Sequence, residues 1–224
     1  MQLRLIALLA ALAIAAVPGS AGTLTEQLGV QSFNSGDIVP SGTFTTAADT
    51  GIFNTVIGAD NNSIGPNFSA SWTFSSYGPV VDPVVGATLL IASWDFDTNV
   101  TTISHVLSFD MNGTPLTAIL DTAFKTNPNT NATPLNSSQI MWYTITLPNT
   151  TFAQLATGSA TFNLTLQNGR GTLGNTTFNG GGMDFSTLTV DTQAPQTVPE
   201  PSTVFAAIGG LAAVAALRRK RTAA

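Results

Sequence analysis

Along most of the middle of the chain, apolar and polar residues alternate with a period of two, as in strands with one buried face. Phe68, Ala70, Trp72 and Phe74 interleave with Ser69, Ser71, Thr73 and Ser75. Ile103, His105, Leu107, Phe109 and Met111 interleave with Ser104, Val106, Ser108 and Asp110. The pattern returns in Met141, Tyr143, Ile145 and Leu147, in Phe162, Leu164 and Leu166, and in Leu188 and Val190. Residues 87–96 are more continuously apolar, which predicts a central strand. No window between the two ends predicts an amphipathic helix, although residues 151–156 predict one helical turn stopped by Gly158. Turn residues such as Asp82-Pro83, Pro148-Asn149 and Asn168-Gly169 separate the runs. The expectation is an all-β fold, a single antiparallel β-sandwich of jelly-roll type over residues 22–192.

One hairpin can be registered from the sequence. Asn112-Gly113 predicts a type I′ turn, in which both central residues need positive φ. Met111 then faces Thr114, Phe109 faces Leu116, Leu107 faces Ala118, and His105 faces Leu120. Pro115 places this second strand at a sheet edge. The same register turns His105 towards the core, so it reads as a structural histidine rather than a member of a Ser-His-Asp triad.

The two ends follow different rules. Arg4, thirteen apolar residues (5–17) and the small residues Gly19 and Ala21 predict a signal peptide over residues 1–21, cut after Ala21 by signal peptidase. At the other end, a polar linker (193–198) precedes Val198-Pro199-Glu200-Pro201-Ser202. An uncharged apolar stretch (203–217) follows, predicted as a short transmembrane anchor helix. Arg218, Arg219, Lys220 and Arg221 form a basic stop that should remain cytoplasmic.

Charge sharpens the contrast. Between Gly22 and Val198 only Lys125 and Arg170 are basic, against eleven acidic residues, a net of −9. A body so poor in cations cannot neutralise a phosphate backbone, which excludes nucleic acid as a partner. The absence of cysteine removes disulfides, zinc-thiolate sites and thiol catalysis, and a single histidine rules out a multi-histidine metal centre.

The C-terminal arrangement of Val198-Pro199-Glu200-Pro201-Ser202, apolar stretch and Arg-rich end resembles the PEP-CTERM sorting signal of Gram-negative bacteria, spanning residues 199–221 after the linker. That resemblance implies recognition by a membrane protease-transpeptidase, the exosortase, and transient anchoring in the membrane. It also implies delivery to the cell surface or extracellular matrix of an exopolysaccharide-producing cell. The bodies of that family are diverse, so the resemblance implies delivery rather than activity.

Chemistry in the body is sparse. Asp95, Asp97 and Asn99 alternate near a strand end and are candidate calcium ligands, although they lack the glycine and distal glutamate of an EF-hand loop. No other cofactor has a candidate site. Glu26, the body's only glutamate, falls just past the signal peptide in a stretch that reads as mobile. Asp95 with Asp97, or Asp110 with Asp121, are the pairs a carboxylate-dependent hydrolase would use. Trp72, Trp94, Trp142, Tyr77 and Tyr143 would serve a carbohydrate-binding module if exposed together, but the phase of Trp72 puts it in the core. The leading expectation is a non-enzymatic surface or matrix protein associated with exopolysaccharide. The alternative is a carbohydrate-binding module, with an Asp-dependent hydrolase third.

Overall fold

The computed structural model describes residues 21–40, 51–57, 68–96, 98, 104–129, 137–166 and 181–193. Within them the strands are β1 (Gly22–Gly29), β2 (Ile38–Pro40), β3 (Val56–Ile57), β4 (Ser69–Phe74) and β5 (Val84–Trp94). They continue with β6 (Val106–Met111), β7 (Thr114–Pro115), β8 (Ser137–Thr146), β9 (Ala160–Leu166) and β10 (Gly181–Thr192). Two helices interrupt them: α1 (Thr117–Thr126) and α2 (Phe152–Leu155), the latter entered through the 3-10 turn Asn149–Thr151. One sheet runs β1-β10-β5-β8-β2, with β3 also paired to β10, and the other runs β4-β9-β6-β7. The fold is all-β, built of two antiparallel sheets with few helices.

Alternation explains how the sheets pack. Leu89, Ile91 and Leu188 of the first sheet and Phe74, Phe109, Phe162 and Leu164 of the second join one apolar cluster. Phe162 is fully buried, stacked on Trp72 at 5.7 Å and Phe109 at 5.8 Å, with Phe74 edge-on at 5.9 Å. β5 is the middle strand of its sheet, as its apolar run predicts. The predicted turn at residues 151–156 is α2, and Gly158 ends it at φ +85°. A side chain there would collide with the backbone of Gly78 and Pro79.

The hairpin is partly as read. Asn112 and Gly113 have φ of 49° and 82°, Met111 pairs with Thr114, and the Leu116 N–H donates to the Phe109 carbonyl at 2.8 Å. Pro115 lies in the terminal strand of its sheet. Beyond Leu116 the expectation fails, because the chain enters α1 instead of continuing as a strand. The Thr117 hydroxyl occupies the next ladder position, accepting from the Phe109 N–H at 3.0 Å and so ending the pairing. Leu116, Leu120 and Phe124 are buried, with Ile119 and Ala123 packed beside them, a helical stripe. Ala118 and Leu120 therefore do not pair with Leu107 and His105.

Leu107 is a second correction. The β6–β9 register shifts between Val106 and Ser108. This bulge turns Val106 inward and leaves Leu107 56% exposed, reversing the predicted phase at both positions. His105 is buried as expected. The stretch around Glu26 is a third correction, since β1 pairs with β10 along all eight of its residues.

Candidate functional site

The outer face of the second sheet is built from hydroxyls and amides. Ser69, Ser71 and Thr73 of β4 lie opposite Thr165, Asn163 and Thr161 of β9. Each pair is hydrogen-bonded side chain to side chain: Ser69 with Thr165 at 3.2 Å, Ser71 donating to Asn163 at 2.8 Å, and Thr73 with Thr161 at 2.8 Å. Asn163 extends the ladder to Asp110 at 3.0 Å, and Asp110 also accepts the turn N–H of Gly113. Cross-strand pairs of this kind fix the side chains that meet solvent.

The outer face of the first sheet is divided. At one end the register aligns Thr25, Thr189, Thr88 and Thr146 across four adjacent strands. At the other end Trp94 and Ile140 are covered by β2 and its approach, where Val39 and Phe33 complete a second apolar cluster with Trp142. The Trp94 indole N–H donates to the Val39 carbonyl at 3.0 Å. Of the five Trp and Tyr residues, Trp72, Trp94 and Tyr143 are buried, and Trp142 and Tyr77 are half-buried. The strongly exposed large hydrophobic residues among those described are all aliphatic: Val30, Ile38, Val81, Val85 and Leu107.

Two carboxylates that the sequence did not mark as structural are buried and bind main-chain amides. Glu26 accepts from the N–H groups of Ser75, Ser76 and Tyr77 at 2.8–3.2 Å, tying β1 to the chain leaving β4. Its position between Leu24 and Leu28, in phase with both, was the available signal. Asp184 sits at the β10 bulge and accepts from Ser32 and Phe33, holding the segment that follows β1. No sequence pattern announces that bulge. Both act as anion-binding turns in reverse, with a side chain filling a nest of amides.

Asp110 and Asp121 are engaged separately. Asp121, on α1, pairs with Lys125 at 2.6 Å and accepts from the Ser104 hydroxyl and the His105 N–H. Burial alone would raise its pKa, but Lys125, the His105 N–H and the Ser104 hydroxyl outweigh that and hold it below the usual carboxylate range. Ser, His and Asp thus come together here, with the serine bonded directly to the carboxylate and the histidine contributing its main chain. Burial, then the charge of Glu26, pushes the Tyr77 phenol up to about 12, and burial likewise raises Tyr143 against the lowering effect of its bond to Thr98.

Asp95 follows β5, half-buried with φ of 60°. Its proposed calcium companions Asp97 and Asn99 lie outside the described residues, among which no cluster of three acidic or histidine side chains is placed to hold a metal. Val198 to Ser202, the anchor stretch 203–217 and Arg218, Arg219, Lys220 and Arg221 also lie outside them. No described helix is long and apolar enough to cross a membrane.

Comparison with known families finds a match in the tail. Residues 197–221 match the PEP-CTERM protein-sorting motif. No curated protein and no solved structure matches the chain. The motif points to export, membrane-anchored processing and an exosortase as the processing enzyme. By this motif the chain is a PEP-CTERM domain-containing protein.

Proposed function

We propose that the chain is a non-enzymatic protein of the cell surface or extracellular matrix, released there by exosortase processing and associated with exopolysaccharide. The carrying observation is the sorting motif at residues 197–221, where motif, apolar stretch and basic stop follow in order. The body supports the reading through its surface. The outer faces offer regular rows of hydroxyls and amides that exchange hydrogen bonds with water and sugar hydroxyls equally well. Lys125, the one cation among the described residues, is paired with Asp121, which disfavours binding of polyanions.

The strand order supports a jelly roll for the same body. With β2 and β3 set aside, the eight remaining strands run 1-8-3-6 in one sheet and 2-7-4-5 in the other. This is the order two nested Greek keys produce. Such a scaffold stays rigid without disulfides, which suits a cysteine-free chain outside the cell.

Deleting the exosortase gene and fractionating the cells tests the reading. The expected outcome is full-tailed protein held in the membrane fraction, with a strain lacking exopolysaccharide releasing processed protein into the medium instead of retaining it. Unchanged release and an unchanged C-terminus in the exosortase deletion would refute delivery by this route. Unchanged retention in the polysaccharide-deficient strain would refute the polysaccharide association.

A further inference from the structure

The segment leading into β5 presents an unusual surface. Pro79, Val81, Pro83 and Val85 are all exposed, Val81 at 97%, whereas the intervening Val80, Asp82 and Val84 are half-buried. The backbone bends at Asp82, so Pro79 and Val81 reach solvent before the bend and Pro83 and Val85 after it. The segment is held at two points. The Val80 N–H donates to the Ala156 carbonyl at 2.9 Å, and the Gln193 N–H donates to the Pro83 carbonyl at 2.8 Å. Two prolines further restrict the backbone. Two hydrogen-bonded points and two prolines thus hold an exposed apolar surface in place, and such preorganisation lowers the cost of docking on another protein.

Its place in the chain identifies the partner. Gln193 is the last described residue before the tail, and five residues lie between it and Pro199. The six extended steps from Gln193 to Pro199 reach about 20 Å. Whatever enzyme holds Pro199-Glu200-Pro201 must work within that distance of the residue bonded to Pro83. A lipid surface fits less well, because valine and proline lack the aromatic and basic anchors of interfacial segments.

We propose that Pro79, Val81, Pro83 and Val85 form a docking strip for the outward surface of the exosortase, so that the body as well as the tail is recognised during processing. This rests on the reading that an exosortase removes the tail. The test follows tail removal by pulse-chase of the full chain in the exporting cell. It compares wild type, the double variant Val81→Asn/Val85→Thr, the control Leu107→Ser on β6, and the motif variant Pro199→Ala/Glu200→Ala/Pro201→Ala. The double variant should remove its tail about tenfold more slowly, the order of effect expected for losing a docking anchor. Its melting temperature should be unchanged, since both side chains are exposed, and Leu107→Ser should process at the wild-type rate. A double variant within twofold of wild type, or an equal slowing by Leu107→Ser, would overturn the docking strip. If the motif variant still lost its tail at the wild-type rate, the sorting reading itself would fail.

Discussion

In the tail, Val198 to Ser202, the apolar stretch 203–217 and the basic residues 218–221 follow one another, and their order along the chain is what the family motif matches. In the body, by contrast, Glu26 meets the amide of Ser75 49 residues away, and Asp184 meets that of Ser32 152 residues away. The tail is legible from the order of its residues alone. The body exists as a surface only once distant segments are assembled. One substitution can therefore erase the message of the tail while leaving the body intact, and another can unfold the body while leaving the message written.

The largest separation should come from the core. Phe162→Ala removes a fully buried ring that touches Trp72, Phe109 and Phe74. It should cost about 3–5 kcal/mol of body stability, read by chemical denaturation. A loss below about 1 kcal/mol would mean that the two sheets do not share this core. Glu26→Gln should cost less, about 1–3 kcal/mol, because the amide keeps one acceptor where two carboxylate oxygens served three N–H groups. Hydrogen exchange should then show the amides of Ser75, Ser76 and Tyr77 losing protection first. Equal protection in both proteins would show that the carboxylate does not hold this turn.

What was legible in the body follows the range of the forces involved. β4, β5, β8 and β9 could be read because each carries its own alternation, and the turn at Asn112-Gly113 because positive φ is a local demand. α1 was missed because Leu116 and Leu120 are four residues apart, a spacing that serves a strand and a helix alike. Ile119 and Phe124, at helical spacing from them, decide for the helix. β1 was missed because a glutamate sits in its inward phase, and only the amides after β4 explain why a carboxylate is tolerated there. The bulges at Leu107 and Asp184 depend on the partner strand, so no local pattern carries them. The tail needed none of this.

The central claim is that the tail directs its own removal during export. Intact-mass analysis of protein recovered from outside the cell tests it most directly. The account predicts a chain that begins near Gly22 and has lost residues 203–224, and for the Pro199→Ala/Glu200→Ala/Pro201→Ala variant a chain that keeps them and stays with the membrane. Extracellular wild-type protein still carrying Arg218 to Arg221, or a variant trimmed like wild type, would contradict it.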